Sequence, residues 1–256
     1  MTSPASVELS ICDGLARISL TSAATSNAID LELAQQLCDA VHICAESPVR
    51  AVLIEGRGKN FCAGGRVADL VSEDPAVTDS VAHGLTASVN RAIEGLAALD
   101  APIVAAVQGF AVGGGLGLAC SADVVIASES AKFMTGFSRI GLAPDCGISH
   151  TLPRLVGPRI ALELALTNRI VEASEARAIG LVTHVVPDDE LSSRATELAM
   201  SLANGPTAAF AATKRLMSAD GTLIEQLALE AATLRELSQT CDVQKRIREL
   251  FPAAAQ

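Results

Sequence analysis

From Ala101 to Ala122 (APIVAAVQGFAVGGGLGLACSA) no side chain is charged. A run of that length, about 20 residues, has to be buried on all sides, in lipid or in a protein core. Several features favour the core. The run is mostly Ala and Gly, Pro102 and Gln108 lie inside it, and neither a Lys/Arg cluster nor an aromatic belt flanks it. It is expected to be a buried strand leading into a glycine-rich helix start.

The 256 residues are 50% hydrophobic, enough for one large core or two modest ones, which excludes intrinsic disorder. Six Phe, no Trp and no Tyr leave little with which to stack bases, and a net charge of −10 repels a polyanion. No nucleic-acid or membrane partner is expected. A small anionic ligand is still allowed, because a few backbone N–H groups suffice to bind one. Seven cysteines make an odd count with no C-x-x-C, which points to a reduced, cytoplasmic setting. Residues 1 to 10 lack the basic and apolar regions of a secretory signal. His42, His83, His150 and His184 are scattered, so no metal site is expected.

Residues 7–12 and 15–20 flank Asp13-Gly14, the signal of a type I′ hairpin. Leu33, Leu37, Val41 and Cys44 then recur at helical spacing between Asp30 and Ala45. Short apolar runs predict buried strands at 51–54, 103–107, 124–127 and 182–186, with helices at 79–99 and 175–179 and glycine punctuation over 136–157. Beyond Pro187 three helices are expected, at 188–202, 206–218 and 222–250. The chain thus divides into a β/α core, residues 1–187, and a helical region, 188–256.

Gly113-Gly114-Gly115-Leu116-Gly117 follows a predicted strand and precedes a helix, so its backbone N–H groups face whatever sits above it. The spacing fits neither the dinucleotide loop, which needs glycine at Leu118, nor the P-loop, nor the hydrolase elbow. A second glycine turn, Asn60-Phe61-Cys62-Ala63-Gly64-Gly65-Arg66, follows the strand at 51–54. Two such donors make an oxyanion hole.

With the segment P-I-V-A-A-V-Q-G-F-A-V-G-G-G at 102–115, the chain resembles the crotonase superfamily, the enoyl-CoA hydratase/isomerase family. The resemblance continues through Asn27-Ala28, S-A-D-V-V-I-A at 121–127, A-K-F at 131–133, I-G-L-A-P-D-C-G at 140–147, L-P-R-L-V-G at 152–157, L-T-N-R-I at 166–170 and A-x-x-I-G-L-V at 176–182. It implies an α/β, ClpP-like spiral of ββα units with a helical trimerisation region, assembled as a homotrimer or a dimer of trimers. The substrate it implies is an acyl-CoA thioester, whose coenzyme A is part of the substrate, with no further cofactor. The N–H groups of Gly65 and Gly114 would stabilise the thioester enolate. Ala28, Ala63, Gly64, Arg66, Phe137 and Leu142 would lie along the substrate.

Where hydratases of the family carry two glutamates, this chain has Gly117 and Phe137. Asp145 instead occupies the position at which isomerase-type members carry an acidic base. One carboxylate suffices to move a proton between two carbons, whereas adding water asks for more. The family resemblance thus favours an isomerase with Asp145 as base, with an atypical hydratase or a non-catalytic acyl-CoA-binding protein as alternatives. On the residues alone Pro144-Asp145-Cys146-Gly147 reads as turn chemistry. Flanked by Leu142, Ala143 and Cys146, the carboxylate is expected to be desolvated, which suits a base. A dehalogenase of aromatic acyl-CoA also places an aspartate here, as nucleophile, but pairs it with Trp where this chain has Phe137 and with His where it has Asn90; His83 lies two helical turns away. Arg66 stands where family members commonly have Asp, and Ser26 where Arg or Lys often touches coenzyme A. Cys62 and Cys146 are expected to be apolar fillers rather than nucleophiles.

Overall fold

The computed structural model describes residues 5–251. Residues 1–4 and 252–256, which end the two expected regions, lie outside it.

The opening hairpin forms at Asp13-Gly14. Strands β1 (Val7–Cys12) and β2 (Leu15–Leu20) pair antiparallel with Cys12 opposite Leu15. Both turn residues take positive φ, 51° and 79°, as a type I′ turn requires.

The remaining strands divide between two sheets. β3 (Ala51–Gly56), β4 (Ile103–Val107), β6 (Val124–Ser128) and β9 (His184–Val186) extend the hairpin into a six-stranded sheet, each parallel to its predecessor. β5 (Phe110–Val112), β7 (Lys132–Met134) and β8 (Val171–Glu172) form a smaller one. The chain spirals: β4 leads to β5 and helix α3 (Gly114–Cys120), and β6 leads to β7 and, further on, helix α4 (Ile148–Val156). β3 begins the same kind of turn, because its continuation bridges the small sheet at Cys62 before helix α2 (Pro75–Ala98).

The central strands of the larger sheet are buried on both faces, which is why they read as continuous apolar runs. Val52, Ile54, Ile103, Ala105 and Val107 join the main core under α1 (Leu31–Glu46), which contributes Leu33, Leu37 and Val41. Ala51, Leu53, Val104, Ala106 and Ile126 face the other way, onto Leu191, Ala195, Ala199 and Ala203 of α7 (Leu191–Ala203). The four-residue spacing of those positions turns one stripe of α7 to the sheet. Arg50 fastens its end, donating to the carbonyls of Ala203 and Gly205.

The uncharged stretch from Ala101 to Ala122 therefore becomes β4, β5 and α3, buried in protein. Among the described residues no helix is long and apolar enough to cross a membrane.

Several boundaries differ from expectation, among them β9, which begins at His184 rather than 182, and α7, which begins at Leu191 after a short 3-10 turn at Asp188–Glu190. α2 starts four residues early, because Asp74 accepts the Ala76 N–H (2.9 Å) and Pro75 takes the first helical position. The stretch 136–157 is not only glycine-punctuated loop: Gly147 and Gly157, at positive φ, set off α4 and α5 (Pro158–Thr167). α6 (Ala173–Ala178) begins before Glu175. Past α8 (Thr207–Ser218), the expected helix 222–250 is two, α9 (Leu223–Ser238) and α10 (Cys241–Leu250), because Thr240 adopts extended backbone and caps the second through the Val243 N–H.

Candidate active site

The two glycine turns occupy equivalent positions in successive turns of the spiral. Cys62 pairs in parallel with Ala111, so Cys62 donates to Phe110 O and Val112 donates to Cys62 O, both at 3.0 Å. Three residues after each member of that pair come Gly65 and Gly114. The register of one bridge thus sets the two glycine turns side by side. Backbone packs on backbone between them: a Cβ on Gly64, which has φ +86°, would stand 2.5 Å from Val112 O. Gly113 at φ 53°, ψ −122° occupies a region open only to glycine and turns the chain into α3. Gly114 is the first residue of that helix, where N–H groups lack intrahelical acceptors. Among the described residues neither the Gly65 nor the Gly114 N–H has a hydrogen-bond acceptor.

Both glycines line a cavity of about 520 Å³. Its wall is largely apolar, with Leu85, Val89, Val112, Met134, Phe137 and Ile140 among the contributors. Of the residues expected along the substrate, Ala63, Gly64, Arg66, Phe137 and Leu142 line the cavity; Ala28 does not. Asn90 and His83 are not lining residues either, so the histidine of the dehalogenase pattern has no counterpart. Arg66 is already committed, with its guanidinium 2.9 Å from Asp30 and 2.8 Å from Asp69.

Asp145 is the only carboxylate among the described lining residues. It does sit in a turn, its carbonyl accepting the Ile148 N–H at 3.0 Å, and Cys146 and Gly147 both take positive φ. The expected desolvation is not found: Asp145 is exposed, and so are Leu142 and Ala143. Apolar sequence neighbours shield a carboxylate only if they fold over it, and of the three only Cys146 is buried.

The cysteines behave as fillers. Burial pushes the Cys62 thiol up to about 12, and it donates to Asn27 O at 3.1 Å. Burial, reinforced by the adjacent Asp145 charge, also raises Cys146. Neither is a thiolate near neutral pH.

Sequence reasoning gave Asn27 no role of its own, yet it anchors the first glycine turn. Fully buried and at φ 54°, its amide donates to the carbonyls of Arg57, Asn60 and Phe61 at 2.9–3.0 Å. Asn27→Ala strands these acceptors and is expected to lower stability by about 2–3 kcal/mol. Asn27→Asp, which turns a carboxylate on three carbonyl oxygens, should cost more. Urea denaturation midpoints check both; an unchanged midpoint for Asn27→Asp would refute the anchoring role.

The family model described as enoyl-CoA hydratase/isomerase matches residues 10–250. A Rhodobacter capsulatus protein named probable enoyl-CoA hydratase is 36% identical over 244 residues, 94% of this chain and 93% of its own. The 1,2-epoxyphenylacetyl-CoA isomerase of Escherichia coli is 32% identical over 91% of this chain and 90% of its own. Among solved structures, an enoyl-CoA hydratase from Polaromonas superposes with a TM-score of 0.88 at 26% identity, covering 96% of each chain.

Proposed function

The chain belongs to the enoyl-CoA hydratase/isomerase family, and on that premise we propose that it is an acyl-CoA isomerase with Asp145 as its base. The observation that carries this reading is the lone carboxylate: in a cavity with two free backbone donors, Asp145 is the only acidic group on the wall. The thioester oxygen sits on the Gly65 and Gly114 N–H groups. Asp145 takes a proton from the carbon next to the thioester, and the negative charge spreads to the oxygen held by those donors. The resulting dienolate takes the proton back two carbons along. The double bond moves, and nothing is added or lost. Rearrangement of a ring on the acyl group would use the same enolate.

Hydration is the second reading, favoured by the hydratase names among the relatives. It asks the protein to orient and deprotonate a water as well as protonate carbon, and Gly117 and Phe137 supply no carboxylate for that. A panel of 2-enoyl, 3-enoyl and aromatic CoA thioesters, resolved by mass, separates the readings. We expect unchanged mass with a displaced double bond. Gain of one water at ordinary enzymatic rates, about 1–10³ s⁻¹, would refute the isomerase assignment, and tight binding without product would refute catalysis.

The same reading puts further copies of the chain against the helical region. α9 has no buried residue among those described, and it exposes Leu223, Ile224, Leu227 and Leu234, with Leu162 and Leu166 of α5 also bare. Such a stripe suits a homotrimer or a dimer of trimers. Seven unpaired cysteines suit a reduced, cytoplasmic setting.

A further inference from the structure

Gly117 is the central residue of α3 and is buried. Helix interiors disfavour glycine relative to alanine, so its presence calls for a reason. The structure supplies one. A Cβ built on Gly117 would stand 2.6 Å from the carbonyl oxygen of Cys146 and 2.8 Å from its Cβ. Real side chains do not approach so closely, and the obstacle is backbone, which cannot rotate aside. The turn carrying Asp145 therefore rests directly on the helix whose first residue, Gly114, supplies an oxyanion donor.

Gly114 faces Cys146 more loosely, since a Cβ there would lie 3.1 Å from the Cys146 Sγ. Cys146 itself is in the left-handed region at φ 51°, a conformation that a packed surface must hold in place. Asp145, one residue away, is exposed, and among the described residues no hydrogen bond from a helix or strand holds its side chain independently of the turn.

We propose that Gly117 is a positioning residue: by having no side chain it lets the 145–147 turn seat on α3, which fixes the Asp145 carboxylate relative to the Gly114 N–H. The inference rests on Asp145 acting as the base. It also means that this chain has no room at 117 for the glutamate that hydratases of the family carry there, unless the Asp145 turn moves.

The test is a double-mutant cycle on the full chain. G117A is expected to lift the turn, lowering kcat for double-bond migration by about 10- to 100-fold, in line with the cost of a misplacement near 1 Å, while KM stays within threefold. In the D145N background the same substitution should lower the residual rate less than twofold, because the group it displaces is already disabled. A general structural defect would instead cost the same factor in both backgrounds, and that result, or wild-type kcat in G117A, overturns the inference. Wild-type turnover by D145N overturns the premise instead, so the two failures are distinguishable. Should G117A not fold, C146G poses the question from the other side, since glycine suits φ 51° and its substitution removes the Cβ seated on α3. It is expected to lower kcat severalfold with KM held, and an unchanged kcat contradicts the proposal.

Discussion

Asp145→Asn is expected to slow isomerisation by about 10²–10⁴-fold while leaving acyl-CoA affinity within a few fold. The amide keeps the volume of the side chain but cannot accept a proton. Asp145 is exposed, and no ion pair among the described residues involves it, so its loss should leave the fold unchanged. Affinity should hold for a separate reason: the apolar wall and the two backbone donors, to which the proposed function assigns thioester binding, are untouched. Single-turnover rates beside equilibrium binding give the two quantities separately. Wild-type-like turnover by the purified variant would end the assignment.

The second large effect is expected at Gly114, where the donor is backbone and truncation of a side chain tells nothing. Gly114→Pro deletes the N–H; Gly114→Ala keeps it. Proline suits the first position of a helix, and Gly113 at φ 53°, ψ −122° mirrors the extended conformation favoured before proline, so the variant should fold. An alanine Cβ would lie 3.0 Å from the Ile29 Cδ1 and 3.1 Å from the Cys146 Sγ, and a side-chain tip can shift by the few tenths of an ångström required. The proline variant should therefore be about 10²–10³-fold slower than the alanine variant, the usual cost of one preorganised oxyanion donor. Equal rates from two folded, substrate-binding variants would make the glycine triplet a packing device only.

What could be read ahead of the structure was what local chemistry dictates. Asp13-Gly14 specifies its turn because few residues tolerate two successive positive φ angles, and the buried strands announce themselves because both sheet faces are covered. The two glycine turns were legible as donors. That they meet was not: it depends on the pairing of Cys62 with Ala111, a long-range register that no local pattern encodes. The same holds for Asn27, whose partners lie some 30 residues on, and for Arg66, held by Asp30 as well as by its neighbour Asp69. Gly157-Pro158 carries the same stop-and-start signal as Gly205-Pro206, so α5 could have been found from it. Asp145 reads as a turn residue on local chemistry and does form that turn, and only the family resemblance singled it out as a candidate base. Its exposure was misjudged, because flanking residues in sequence say nothing about which of them fold over the carboxylate.

In the proposed reaction Asp145 removes a proton from the carbon beside a thioester whose oxygen is held by Gly65 and Gly114. Deuterium uptake is its most direct measure. Incubated in D₂O with an acyl-CoA that can enolise, the wild-type protein should incorporate deuterium at that carbon, read by mass spectrometry, with no gain of water, and Asp145→Asn should lose the exchange by the same factor as it loses turnover. Exchange at the wild-type rate in Asp145→Asn, or a hydrated product in place of exchange, would contradict it.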